Sequence, residues 1–177
     1  MSVLEGWRFC PRCAAPIRRE AGRAECDACG FVAYANSAPT ASAVVVDGEG
    51  RVLLARRAIE PDLGKWDLPG GFLEEGEEPV DGLRRELREE TGLEVEPLAF
   101  LGVWVDAYGD GEGAVATLNL YWVSRAEGEP HPADDVSELR WFAPAELPSP
   151  AGLAFRVNAK ALEAWQRAVA PPAPKTS

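Results

Sequence analysis

A mixed α/β sandwich with a small cysteine-bearing module ahead of it is the architecture the sequence predicts, on three observations. Aliphatic and β-branched runs separated by glycine turns recur after Pro39. Two later segments space their apolar residues by three and four, the period of a half-buried helix. All four cysteines fall before residue 30, paired as Cys10 with Cys13 and Cys26 with Cys29.

The division is placed near Ser37: residues 1–37 form the cysteine module, 38–170 the main domain, and 171–177 (PPAPKTS) a disordered tail. In the main domain the run Ala41–Val46 is a strand, Asp47–Gly50 supplies turn chemistry and Arg51–Arg56 resumes a strand, which predicts a hairpin. A loop through Pro61, Gly64 and Lys65 leads to Trp66-Asp-Leu-Pro-Gly-Gly71. Pro79 suits a first helical turn and Gly92 suits the left-handed position past a helix end, so a helix is predicted between them. Val80, Leu83 and Leu87 form its buried stripe, with Glu86, Glu89 and Glu90 on another face. Gly82 in its middle costs about 1 kcal/mol against alanine. Strands over Leu98–Asp106 and Ala114–Ser124, joined by a glycine-rich turn, precede a short strand near Leu139–Phe142. Val157, Ala161, Leu162, Trp165 and Val169 mark the last helix.

The 177 residues carry a net charge of −11, and a pI near 4.6 means most of the surface repels polyanions. Duplex DNA is therefore excluded as the default partner. A phosphate-bearing small molecule fits if a divalent cation bridges it to the acids. The chain opens without a basic segment followed by an apolar one, and no apolar run approaches the roughly 18 residues of a membrane span. A cytoplasmic protein is expected.

Twelve residues separate the two C-x-x-C pairs, a spacing that lets four thiolates converge on a tetrahedral Zn²⁺. The competing reading, two disulfides, suits neither a reducing compartment nor the tight C-x-x-C spacing. Gly30 follows the second pair as a knuckle glycine would, whereas Ala14 follows the first. Arg12, Arg18, Arg19 and Arg23 are offset by Glu20, Glu25 and Asp27, which favours a structural or dimer-forming role over nucleic-acid binding.

Between residues 71 and 93 eight acidic side chains face three basic ones. A solvated helix face is the plain reading of such a run, but Glu86, Glu89 and Glu90 stand at i, i+3 and i+4. That spacing crowds three carboxylates where a cation is needed to relieve their repulsion. Hard oxygen ligands suit Mg²⁺ or Mn²⁺, which can polarise a phosphoryl oxygen and acidify a bound water.

Gly71, five residues, Glu77, seven residues, then Arg85-Glu-Leu-Arg-Glu-Glu-Thr-Gly-Leu93 resembles the Nudix box at every fixed position. The resemblance implies a loop-helix-loop on an αβα sandwich with a mixed β-sheet. It implies that Glu86, Glu89 and Glu90 ligate the divalent metal, with the Gly71 carbonyl as a further ligand. Glu77 would support these ligands and Arg85 would orient a glutamate through an ion pair. Glu90 and Glu89 are the first candidates for the general base, and Glu112, Asp134, Asp135 and Glu138 are the loop alternatives.

Ribbon and box together resemble two zinc-ribbon Nudix groups. In NADH pyrophosphatases a Ser-Gln-Pro-Trp-Pro-Phe-Pro element follows the box, and that string is absent. Leu53-Leu-Ala-Arg-Arg57, Gly64–Gly71 and Leu153-Ala-Phe155 are more similar to the group that includes plant FAD and ADP-ribose pyrophosphatases. Hydrolysis of a nucleoside diphosphate linked to another moiety (ADP-ribose, FAD or an NADH-like molecule) is the implied activity, and a homodimer follows from family habit. Arg56, Arg57 and Lys65 are candidates for phosphate oxygens, and Trp66, Trp104 and Tyr108 for stacking on a base or flavin. His131, between two prolines, is read as a loop residue. The alternative function is a nucleotide sensor without catalysis, whose ribbon contacts a partner.

Overall fold

The computed structural model describes residues 3–109 and 111–169, and the side chain of residue 112 lies outside that description. The expected tail at 171–177 and the candidate carboxylate of Glu112 therefore fall outside the described residues.

In the cysteine module, β1 (Arg18–Glu20), β2 (Arg23–Glu25) and β3 (Val32–Tyr34) form a three-stranded antiparallel sheet. The two C-x-x-C turns repeat one another in backbone detail. Ala14 N–H donates to Cys10 O and Gly30 N–H donates to Cys26 O, both at 2.9 Å. Ala14 takes φ 59° where Gly30 takes 70°. The first turn thus adopts the glycine conformation with a Cβ present, at a cost of about 1–2 kcal/mol.

The main domain has two sheets. One is mixed, in the order β7 (Gly70–Phe72), β4 (Ala38–Val45), β9 (Val115–Glu127) and β8 (Glu94–Tyr108), with β4 and β9 parallel. The other is antiparallel, in the order β10 (Val136–Phe142), β5 (Val52–Arg57) and β6 (Trp66–Asp67). Helices α1 (Pro79–Thr91) and α2 (Arg156–Val169) pack on opposite sides.

Alternation along the strands explains the layers. On β4, Ala41, Ala43 and Val45 face the core beneath α1 with Leu83 and Leu87, while Val44 faces the core beneath α2 with Val157, Ala161 and Trp165. On β5, Leu53 points to the α1 side and Val52 and Leu54 to the α2 side. Strands buried on both faces read as continuous apolar runs, as Ala43–Val46 does. The predicted helix is confirmed from Pro79 to Thr91, closed by Gly92 at φ 71° with its N–H on Arg88 O.

One expectation is corrected. The hairpin predicted over residues 41–56 is a corner: only a bridge between Val46 and Val52 joins the two strands, and each then enters a different sheet. Both strands need two covered faces, which one isolated hairpin cannot give them. The segment Trp66–Gly71, to which the sequence assigned no element, contains strand β6 and the start of β7. Among the described residues no helix is long and apolar enough to cross a membrane.

Candidate functional site

A cleft of about 190 Å³ opens where β7, α1, the loop before β10 and the start of α2 meet. Its position follows from two glycines. Gly70 has φ 140°, and a Cβ there would lie 2.2 Å from Ala41 O; on Gly71 it would lie 2.4 Å from Glu86 Oε2. Only glycine lets this strand press against β4 and under the helix carboxylates.

Arg85 is the organiser of the wall. Its Nε donates to Glu77 Oε1 at 2.9 Å and its Nη2 to Glu77 Oε2 at 2.9 Å. Nη1 donates to Glu86 at 2.8 Å and to Glu89 at 3.0 Å, and Nη2 also reaches Phe72 O at 3.1 Å. The fork holds the Glu77 carboxyl down at about 2, with the Glu74 N–H adding to it.

Glu90 is buried, accepts the Gly70 N–H at 2.9 Å, and lies near Glu86, Asp67 and Asp135. Burial pushes its pKa well above the usual carboxylate range, the Gly70 N–H opposes this, and the neighbouring acids reinforce it. Burial also raises Glu86, against the pull of Arg85 and with repulsion from Glu89 and Asp135. Hydrophobic walls and like charges have thus been brought to one place, the usual setting for a cation or a proton transfer.

Arg57, itself buried, also lines the cleft. Its Nη1 donates to Asp67 Oδ2 at 3.1 Å and its Nε to Pro61 O at 2.7 Å. Its guanidinium lies over the rings of Phe155 and Tyr108, at 5.1 and 5.9 Å. Asp67 is pushed up to about 6 by burial, against the pull of Arg57 and Asn158.

The structure sorts the sequence candidates. Gly71, Glu86, Glu90, Asp134 and Asp135 line the cleft, as do Arg57 and Tyr108. Glu77 and Arg85 stand behind the wall. Glu89 is not part of the lining: its side chain is half exposed at the rim and paired to Arg85. Five other candidates do not line the cleft, and each has a partner elsewhere. Arg56 reaches Gly64 O and Glu138, which removes both Arg56 and Glu138 from the cleft. Lys65 pairs with Asp62. Trp66 packs edge-on against Phe142 and Trp104 against Tyr121, both rings absorbed by the α2-side core. His131 is exposed, and its backbone N–H donates to Thr91 O.

Several lining residues carried no sequence signal strong enough to be singled out. Asp67, Asn119, Tyr121 and Thr40 lie on strands, and only their polarity within apolar runs marks them. Asn119 accepts from Thr40 at 2.9 Å and donates to Trp104 O at 3.2 Å and to Thr117 at 2.9 Å. Asp106 receives the Val157 N–H at 3.2 Å, tying β8 to the start of α2.

The sulfurs of the cysteine module converge. Cys10 and Cys29 stand 3.7 Å apart and Cys13 and Cys26 3.5 Å apart, with all four within 4.8 Å of one another. A tetrahedron with Zn–S bonds of about 2.3 Å has S···S edges of about 3.8 Å, so the quartet fits that ion. Among the described residues no trio of carboxylates meets so tightly. Glu86 and Glu89 are turned to Arg85, and Glu90 to Gly70. The set still offers hard oxygens on one wall under mutual repulsion, which suits Mg²⁺ or Mn²⁺.

Comparison with known proteins agrees with this geometry. An ADP-ribose pyrophosphatase of Methanocaldococcus jannaschii is 36% identical over 110 residues, 60% of this chain and 64% of that protein. The NAD-capped RNA hydrolase NudC of Stutzerimonas stutzeri is 29% identical over 147 residues, 80% of this chain and 50% of its own length. The matches thus span less than two thirds of either relative. A crystal structure of a Nudix hydrolase from Nitrosomonas europaea superposes with a TM-score of 0.76 at 28% identity, covering 94% of this chain and 96% of that one. The family model for the NUDIX domain matches residues 36–165, a span that takes in both sheets, both helices through Trp165 and the whole cleft, and the chain belongs to the Nudix family.

Proposed function

We propose that this protein is a metal-dependent pyrophosphohydrolase acting on a nucleoside diphosphate linked to another moiety, with ADP-ribose, FAD and NADH-like dinucleotides as its substrate class. The observation that carries this reading is the half-buried Glu86 beside the buried Glu90, both raised in proton affinity by burial and backed by Asp135 in an open cleft. Two of the relatives bear names that speak of ADP-ribose and NAD-capped substrates, which supports the choice of class.

When bound between Glu86, Glu90 and the Gly71 backbone, Mg²⁺ or Mn²⁺ would draw charge from a phosphoryl oxygen and acidify water. The chain supplies the rest. Arg85, anchored on Glu77, keeps Glu86 aimed at the cleft while leaving Glu89 at the rim in a supporting place. Glu90, fixed by the Gly70 N–H, is the first candidate to take the proton from the attacking water, with Asp135 second. Arg57, which also lines the cleft, would meet the diphosphate. One water is consumed: its oxygen bonds to one phosphorus, the bridging oxygen leaves with the other, and two phosphomonoesters result.

In the same reading residues 1–37 are a zinc ribbon with a structural role, residues 38–170 are the catalytic domain, and the reduced cysteines suit the cytoplasm. The test is a panel of ADP-ribose, FAD and NADH assayed for phosphomonoester products with Mg²⁺ or Mn²⁺. Glu90→Gln is expected to lower kcat by about 100- to 10,000-fold while the urea midpoint holds. Unchanged turnover in that variant overturns the assignment of Glu90. Ligand binding without product under either metal overturns hydrolysis and favours the sensor.

A further inference from the structure

Among the described residues that line the cleft, Arg57 is the one cationic side chain, in the company of Asp67, Glu86, Glu90, Asp106, Asp134 and Asp135. A lone cation in an acidic cavity has every reason to swing toward whichever acid is nearest. It is held instead by a buried chain that no part of the hydrolytic reading uses. Tyr121 OH donates to Asn158 Oδ1 at 2.8 Å, and Asn158 Nδ2 donates to Asp67 Oδ1 at 2.6 Å. Asp67 Oδ2 then accepts from Arg57 Nη1. Tyr121 is 2% and Asn158 1% exposed, so both bonds are shielded from water and strong for their type. Three elements contribute: β9 gives Tyr121, α2 gives Asn158 and β6 gives Asp67.

With Nε committed to Pro61 O and Nη1 to Asp67, the free end of the fork is Nη2. Its partner is Tyr108 OH at 3.5 Å, a long and weak contact. Below it lie the faces of Phe155 and Tyr108, which fix the guanidinium plane. The under-used donor therefore looks into the cleft, where an anionic oxygen replaces Tyr108 OH as the better acceptor.

The geometry points to Asp67 as a positioning residue that works through Arg57, the Tyr121–Asn158–Asp67 chain presenting Arg57 Nη2 to an oxygen of the substrate's diphosphate. This rests on the hydrolytic reading above for the identity of the ligand, but not on the reaction itself. Burial of Asp67 with an elevated affinity for protons agrees with a group kept for its geometry and not for stability.

The test is a double-mutant cycle on affinity for α,β-methylene-ADP-ribose with Mg²⁺, a probe whose bridge cannot be cut, measured by calorimetry. Arg57→Lys is expected to weaken binding about tenfold, because lysine cannot keep the fork on both Asp67 and the ligand. Asp67→Asn is expected to weaken it by a similar factor while the fold survives, and the double variant to be no weaker than Arg57→Lys alone. Tyr121→Phe, which keeps the packed ring, probes the far end of the chain and covers the case in which Asp67→Asn does not fold. About a threefold weakening is expected from it, absorbed in the Arg57→Lys background. Additive losses, or full affinity in Asp67→Asn or Tyr121→Phe, overturn the inference while leaving the hydrolytic reading intact. Failure of the unmodified protein to bind the probe overturns both.

Discussion

Replacing Gly82 with alanine is expected to damage turnover more than stability. Helix propensity alone makes alanine better there by about 1 kcal/mol. A Cβ at that position, however, would stand 2.3 Å from Leu73 Cδ2, 2.7 Å from Glu77 Oε2 and 3.0 Å from Glu77 Cδ. Leu73 can swing aside, but Glu77 is held by two bonds from Arg85 and one from the Glu74 N–H. Overpacking of this kind costs about 1–3 kcal/mol. Set against the propensity gain, the net loss is about 0–2 kcal/mol, which at a urea m-value of about 2 kcal/mol/M is a fall in midpoint of at most about 1 M. Displacing Glu77 unseats Arg85, and with it Glu86, so kcat is expected to fall about 10- to 100-fold. Urea unfolding and phosphomonoester release from ADP-ribose under Mg²⁺ measure the two effects side by side. A stability gain of about 1 kcal/mol with unchanged kcat would show that Glu77 moves freely and that its contact with Gly82 is incidental.

Two carboxylates give the stability curve opposite slopes. Glu77, held at about 2, stabilises the fold fully above about 4.5 and loses that contribution as pH falls toward 2; Glu77→Gln should flatten the acid limb of urea midpoint against pH. Asp67, raised from the ordinary 3.8 to about 6, binds its proton more tightly in the fold than in the unfolded chain. Its contribution to stability therefore declines between about pH 4 and 6, by about 3 kcal/mol, and Asp67→Asn should make the decline shallower while the part due to Glu86 and Glu90 remains; a parallel curve in the variant rejects the buried-acid account. In the cysteine module, metal analysis is expected to find one zinc per chain, lost in Cys26→Ser. Equal zinc in that variant, or a mass showing disulfides in the unmodified protein, contradicts the ribbon.

The helix with its carboxylates and the cysteine quartet were legible because each is written in contiguous residues. Pro79 and Gly92 mark the ends of α1, and two C-x-x-C pairs carry their own spacing. The far side of the cleft was less so. Asp67, Tyr121 and Asn158 lie 54 and 37 positions apart, and only the sheet order and the docking of α2 bring them together. The aromatic candidates divided for a related reason. Tyr108 sits at the end of β8, where the strand runs out into the cleft, whereas Trp104 four residues earlier is still inside the sandwich. Sequence polarity also misjudged the corner at Val46 and Val52, since a turn between two strands does not say whether they share a sheet.

All five N–H groups of Arg85 are spent, on two carboxylate oxygens of one loop glutamate, two helix glutamates and the carbonyl of Phe72. Lysine, with three donors at one point, would have to abandon at least two of these acceptors. Positive charge would survive such an exchange, yet the loop and the helix would no longer be fastened by one rigid plane. The position therefore demands a shape as well as a sign, and a chain that drifted to lysine here would keep its electrostatics while losing the hinge pin of its cleft wall.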